Sequence, residues 1–490
     1  MKVRTVGALA ALGMSLTSYS VWSLTGPQGN LDRERTASEW HAENPPEHAG
    51  TSQASFLGDG TLHVSARLGH PRLPSGSSTE TFVLVNVRAD ANVAGRPTPR
   101  HLAIAVDRSG SMRGKRLTNA IAAAQGAVRR LADGDSVSVV DYANTAHVLV
   151  APTELGPDTR ERVIAAIGSL TAGGETCISC GLETSLGLLR QQTEAVERVL
   201  LLSDGQATTG ILDVAGMQRL ADSVRATGAT VTTIGVDVDY NERMMTAIAQ
   251  ATNGRHYFVA NPEGLPAIFD RELSGLERAV AREASVELEF APGVELVQVM
   301  DRGFSRDGSR VTIPLGSFAA GEERSVLARV RVTPGGGRDQ AIANARVRYD
   351  DLVLAKAAES GGELVAFVTD DGSRAPLDPE VAEHVERSGT VAALNDANGL
   401  FESGDAAGAR ERIAKKRDEV QRGRAFAVAA APAPRKAALA EAFDKEEAAL
   451  DSAATAFAEP PPTAASSAPD VRRSKTALKQ NAASAADLAF

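Results

Sequence analysis

LAIAVDRSGSM, residues 102–112, decides the fold of this chain. Its five apolar residues, Leu102 to Val106, form the kind of run that a strand buried on both faces of a parallel sheet requires. The chain then breaks into a glycine-containing loop carrying Asp107, Ser109 and Ser111. A helical pattern follows, with Leu117, Ile121, Ala124, Val128 and Leu131 on one face. A carboxylate and two hydroxyls at alternate positions are oxygen donors of the kind that Mg²⁺, Mn²⁺ or Ca²⁺ prefers. Open α/β sheets bind their ligands at the carboxyl ends of central strands, which is where these donors stand.

Outward from this stretch, helices and strands alternate. Val137–Tyr142 is followed by a hairpin return at His147–Val150, and helical faces recur at Val163, Ile164, Ile167 and Leu170, then at Leu182, Leu186 and Leu189. Val199–Leu202 is a second wholly apolar strand, and Val231–Val236 and His256–Val259 complete the set. Repeated β-α units with such strands predict an α/β domain over residues 98–281, a doubly wound, mostly parallel sheet covered on both faces. Beyond Arg282 the period changes to two. Ser285–Phe290, Val294–Met300, Arg310–Ile313, Arg324–Val332 and Ala341–Tyr349 predict an antiparallel β-sandwich over 282–370. Leu62–Leu68 and Thr81–Val87, within 51–97, alternate in the same way and are expected to join it, making the α/β domain an insertion. Residues 377–456 are expected to be helical. Residues 457–490, rich in Ala and Ser and holding Pro460–Pro462, are expected to be disordered.

With 490 residues and 43% hydrophobic content the chain can build several cores. Its net charge of −10 argues against a general nucleic-acid role, which needs a basic face. Lys2 and Arg4 precede the apolar run Val6–Leu16, with small residues at Ser18, Ser20 and Ser23. This pattern predicts a signal peptide over 1–23 and an exported protein, periplasmic, cell-surface or secreted, with an uncleaved anchor as the alternative. Residues 24–50 are a polar linker whose His41, Glu43, Glu47 and His48 have no scaffold to fix them as metal ligands. No later segment approaches membrane-spanning length.

Two further loops fall at the same end of such a sheet. Gly173-Gly174-Glu175-Thr176 precedes a helix and offers a hydroxyl, and Asp204, after the second apolar strand, offers a carboxylate. At this point the chain resembles von Willebrand factor type A (vWA) domains, in D-x-S-x-S after an apolar strand, the later Thr of GGETCISCGL, and LLLSDG. GDSVSVVDYANTAHVL and VDVDYNERMMTAIAQATNGRHYFV resemble the same domains in secreted bacterial proteins. The resemblance implies a Rossmann-like fold and a metal-ion-dependent adhesion site. In it Asp107, Ser109, Ser111, Thr176 and Asp204 bind one divalent cation, Mg²⁺ first, with Mn²⁺ or Ca²⁺ as alternatives. Few carboxylates among neutral hydroxyls leave such an ion under-neutralised, so it attracts an Asp or Glu of a partner protein. The competing reading makes Asp107 and Asp204 helix caps and the serines loop formers.

The only cysteines are Cys177 and Cys180, and Thr176-Cys177-Ile178 stands where the family commonly has a T-N-I-type sequence. A local disulfide, a redox pair at a helix N-terminus, or two small packed residues are the readings open. Asp237, Asp239 and Glu242 read as a polar loop with Asn241 capping the next helix, the alternative being a second cation site. No H-E-x-x-H, G-x-S-x-G or G-x-x-x-x-G-K-[ST] occurs, and Ser109 stands where an aspartyl phosphotransferase needs its second acid. The sequence therefore leads to a non-enzymatic, exported, metal-dependent protein-binding module of undetermined oligomeric state. The alternatives are an accessory subunit of an envelope or channel-like complex and a metal-dependent hydrolase.

Overall fold

A computed structural model describes residues 53–489 apart from 57, 59, 94–99, 190–194, 226–228, 336–338 and 459–466. The expected signal peptide over 1–23 and the expected linker with His41, Glu43, Glu47 and His48 lie outside the described residues.

The chain opens with β1 (Gln53–Phe56), β2 (Leu62–Leu68), β3 (Arg72–Pro74) and β4 (Thr79–Ala89). An α/β unit follows: β5 (Arg100–Asp107), α1 (Lys115–Arg130), β6 (Ser136–Tyr142), β7 (Ala146–Glu154), α2 (Pro157–Gly168), α3 (Ile178–Leu189) and β8 (Val196–Ser203). It continues through α4 (Val214–Arg225), β9 (Thr230–Val236), α5 (Glu242–Ala251), β10 (His256–Val259) and α6 (Leu265–Glu277). Strands return with β11 (Ala279–Phe290), β12 (Val294–Val299), β13 (Ser305–Asp307), β14 (Arg310–Ala319), β15 (Glu323–Val332), β16 (Asp339–Asp351) and β17 (Lys356–Thr369). Four helices close the described chain: α7 (Pro379–Glu402), α8 (Ala406–Ala430), α9 (Ala433–Ala456) and α10 (Ala468–Ala489).

The sheet of the α/β unit has the order β10-β9-β8-β5-β6-β7. Its pairs are parallel except for β6–β7, the hairpin at one edge. The apolar run of β5 serves two cores. Leu102, Ile104 and Val106 pack on α1, α2 and α6, while Ala103 and Ala105 pack toward α3, α4 and α5. Burial on both faces is why the strand carries no polar alternation. The remaining strands build two sheets, β1-β2-β4-β15-β12 and β13-β14-β11-β16-β17-β3, around one shared core. The strands before the α/β unit thus pair directly with those after it, β4 with β15 from Thr79↔Val332 to Arg88↔Glu323.

The helices α7, α8 and α9 share a core built on Leu394, Phe401, Ile413, Phe443, Leu450 and Phe457. The disorder expected over 457–490 does not hold for residues 468–489, where α10 forms and adds Ala485 to that core. Alanine is the strongest helix former, and its small side chains let α10 lie close against its neighbours, so composition misleads. Among the described residues no helix is long and apolar enough to cross a membrane.

Inside this helical region Glu446 is fully buried. Thr390 Oγ1 donates to its Oε2 at 2.6 Å, and its Oε1 has no hydrogen-bond partner. Burial pushes its carboxyl from the ordinary 4.5 up to about 8. The folded chain therefore keeps a proton that the unfolded chain releases. This contribution to stability is complete below the unfolded value near 4.5 and is lost as pH rises through about 8. Thermal midpoints followed by circular dichroism should fall over that window in the wild type and fall less in Glu446→Gln. Superimposable profiles would contradict the assignment.

Candidate functional site

The strand order reverses beside β5. The chain leaves β5 toward β6 and β7, then returns on the other side as β8, β9 and β10. A crevice opens at such a switch point, outside the carboxyl ends of the two strands. Register places Val106 beside Leu202, so Asp107 closes β5 next to Ser203, the last residue of β8.

Three loops meet here and are tied by main-chain bonds. Gly110 N–H donates to Gly174 O at 2.9 Å, and Gly173 N–H donates to Arg108 O at 2.7 Å. Thr208 N–H donates to Thr176 O at 2.9 Å, and Thr176 N–H donates to Thr208 Oγ1 at 2.9 Å. Gly174 has φ +90, and a Cβ there would lie 2.4 Å from Asn144 Oδ1, so this joint accepts only glycine. Cys177 and Cys180 form a disulfide at the start of α3, immediately after Thr176.

The five side chains singled out by sequence are brought together. Ser109 Oγ lies 2.9 Å from Ser111 Oγ, which donates to Asp204 Oδ1 at 2.6 Å. Asp107 Oδ1 accepts from Ser109 N–H and Oδ2 from Ser203 Oγ, both at 2.8 Å. Ser111 Oγ and Thr176 Oγ1 both face Gly205: a Cβ on that glycine would lie 3.4 and 3.6 Å from them. Asp107, Ser109, Thr176 and Asp204 are buried, while Ser111 reaches the surface. The site is thus an oxygen cluster open on one side.

Its electrostatics are unbalanced. Burial pushes the Asp107 carboxyl up to about 6 against the hydrogen bonds of Ser109 and Ser203, and the charge of Asp204 adds to the rise. Burial also raises Asp204, opposed by Ser111 and Arg116. Arg116 offsets part of the negative charge, its Nη1 2.8 Å from Asp204 Oδ2. Two buried carboxylates beside three hydroxyls fit a small hard cation better than a soft one. Among the described residues no group of three or more His, Cys, Asp and Glu could hold a metal. Asp237 is paired with Arg116 and Arg472, Asp239 with Lys475 and Glu242 with Lys479, and Asn241 caps α5 as expected, accepting from Met244 N–H at 3.2 Å.

Sequence reasoning missed Ser203, Arg116 and Tyr142. Ser203 was visible in LLLSDG but carries its bond through Asp107. Arg116 had a signal: it stands in the first turn of α1, where the helix dipole disfavours a cation unless carboxylates offset it. It meets Asp237 as well as Asp204. Tyr142 is fully buried, and its hydroxyl donates to Leu202 O.

The fold is that of a doubly wound α/β domain of the open-sheet class. More particularly, the chain contains a von Willebrand factor type A domain: residues 101–271 match the model of that family. Domains of this class commonly mediate protein–protein interaction. The chain is 26% identical over 305 residues to the uncharacterized protein sll0103 of Synechocystis sp., covering 59% of this chain and 71% of that one. It is 27% identical over 263 residues to the uncharacterized protein YfbK of Escherichia coli, covering 50% of this chain and only 44% of that relative's length. Two solved structures share the fold. A von Willebrand factor type A protein from Catenulispora acidiphila matches with TM-score 0.65 and 19% identity, over 81% of this chain and 91% of its own. The ArnB paralog VWA2 from Sulfolobus acidocaldarius matches with TM-score 0.56 and 20% identity, over 81% and 98%.

Gly181 shows how tightly the helix below Thr176 is set. A Cβ there would lie 2.5 Å from the Tyr142 ring, which its hydroxyl bond holds in place. Gly181→Ala should destabilise the protein by about 1–3 kcal/mol, read as a lower urea midpoint at unchanged slope. Gly187→Ala, in the same helix and with nothing among the described residues within 4 Å of its Cβ, should not. Equal midpoints would refute this packing.

Proposed function

We propose that this vWA domain binds one divalent cation, Mg²⁺ first, through Asp107, Ser109, Ser111, Thr176 and Asp204, and so docks an acidic side chain of a partner protein. The observation that carries this reading is the joining of five oxygen-bearing side chains from three loops into one half-open cluster. When bound, the ion supplies an under-neutralised positive centre that attracts a carboxylate and fixes its approach. The chain's own residues do the rest. Ser203 and the Ser109 amide hold Asp107 in one orientation, the fixed Gly110–Gly174 joint sets the Thr176 loop, and exposed Ser111 leaves an approach from solvent.

Nothing in this arrangement activates a nucleophile: Asp107 is occupied by two donors, and neither is a histidine. We therefore read the domain as a binding module rather than an enzyme. We also propose that it works outside the cytoplasm. The disulfide Cys177–Cys180 fits an oxidising compartment, as does the leader pattern of the first residues.

The test is capture of a partner from native envelope extract with Mg²⁺ and with chelator. Chelator should abolish capture. Asp107→Ala should weaken cation binding by more than about 100-fold, and Ser203→Ala, one shell out, by about 10-fold. Capture indifferent to chelator, or turnover of a chromogenic ester or phosphate that Asp107→Ala removes, would overturn the reading.

A further inference from the structure

The helix α10 lies across the α/β domain beside the site, and its basic side chains meet an acidic rim there. Arg472 Nη2 is 2.8 Å from Asp237 Oδ1, Lys475 Nζ is 2.8 Å from Asp239 Oδ1, and Lys479 Nζ is 3.0 Å from Glu242 Oε2. Lys479 also donates to Tyr240 O at 3.2 Å and sits 4.7 Å from the centre of the Tyr240 ring. The spacing of three and four residues puts these cations on one face of the helix. This rim is one guanidinium away from the oxygen cluster. Arg116 holds Asp237 Oδ2 with Nε at 3.0 Å and with Nη2, while Nη1 holds Asp204 Oδ2 at 2.8 Å and Ser111 O at 3.0 Å. Charges therefore alternate along a chain of contacts: Arg472, Asp237, Arg116, Asp204.

We infer that the rim Asp237–Glu242 is a docking surface for a basic helix, filled in cis by residues 468–489, and that helix docking and cation binding at the cluster oppose each other. The inference rests on the cation site proposed above. Two effects share one sign. Docking brings three positive charges toward a site meant for a doubly charged ion, which Coulomb repulsion disfavours. Docking also divides Asp237 between two guanidinium groups. Released from Arg472, Asp237 draws Arg116 more strongly, and Arg116 loosens its hold on Asp204, an oxygen donor the ion needs. Because coupling is reciprocal, an ion at the cluster must weaken the seat of the helix by the same factor. Two of the three contacts are built to yield: Arg472 and Lys475 keep side-chain exposures of 55% and 47%, where ion pairs are weak and screened, while Lys479 and Glu242, at 13% and 14%, make the firmer seat. The buried Asn481 and alanines anchor the other face of the helix to the helical region, so the segment can leave the rim without leaving the protein.

The experiment measures Mn²⁺ affinity by calorimetry on the full chain and amide exchange of residues 468–489 by mass spectrometry. The double variant Arg472→Gln, Lys475→Gln should bind Mn²⁺ about fivefold more tightly, at the low end of ordinary allosteric couplings. Arg417→Gln, which removes an equal kind of charge paired with Asp451 in the helical region, should not change it. Saturating Mn²⁺ should speed exchange in 468–489 of the wild type. Unchanged affinity in the double variant, with Asp107→Ala still abolishing binding, would overturn the coupling and leave the cation site standing. Wild type that binds no Mn²⁺ would overturn both.

Discussion

The side-by-side parallel pairing of β5 and β8 is the constraint on which the rest depends. It brings Asp107 and Asp204, 97 positions apart in sequence, to one crevice and buries both. Burying two carboxylates together is costly unless each finds donors. Here the donors come from the end of β8, from the loop after β5 and from the helix that follows it: Ser203 Oγ, the Ser109 amide and Ser111 Oγ, and the Arg116 guanidinium. Slipping β5 by one residue would exchange Leu102, Ile104 and Val106 with Ala103 and Ala105 between the two cores, so side-chain size on the two faces pins the register. Core packing and site geometry are therefore the same fact seen from two sides.

The sandwich gives this domain a fixed base. Because β4 pairs with β15 and β11 with β14 and β16, the inserted domain enters and leaves from one module. The two are joined by polar as well as apolar contact. Leu352 and Ala279 complete the core that holds α1 and α6, and Arg255 reaches Glu322 at 3.6 Å across a cavity of about 460 Å³ lined also by Arg198, Glu272 and Arg324. Arg198 and Glu272 form a close pair at 2.7 Å there. The guanidinium groups gathered at that junction are held by the carboxylates of Glu272 and Glu322. The cluster at the opposite, carboxyl end of the sheet is left free to face outward.

Much of this was legible in the sequence, and the misses have physical causes. Apolar runs such as Leu102–Val106 and Val199–Leu202 announce themselves because burial on both faces leaves no other composition. Asp107, Ser109, Ser111, Thr176 and Asp204 could be found because each follows a strand or precedes a helix at the end where ligands bind. Strand β17 could not, because Gly361 and Gly362 interrupt it like a turn. They are there because the Phe56 ring lies where a Cβ on Gly362 would be, and Ala345 O and Arg346 crowd Gly361. The helix α10 was hidden for a different reason. Its apolar surface is nearly all alanine, and the residues that seat it, Arg472, Lys475 and Lys479, read as solvated charge until their acidic partners are known.

That Arg116, rather than a lysine, stands at the centre of these contacts follows from what it must touch. A guanidinium offers five donors in a flat fork, so one side chain can satisfy Asp237 on one edge while Nη1 spans Asp204 and the Ser111 carbonyl. An ammonium, a point charge without this flat fork, could not match both carboxylates and the carbonyl in one plane. The fork also explains why Asp237 lies below the ordinary carboxylate range despite its burial, with Arg116 and Arg472 both holding its ionised form. A group that joins two carboxylates through one rigid plane cannot move on one without disturbing the other. The oxygen cluster and the rim where α10 rests are therefore held by one and the same side chain.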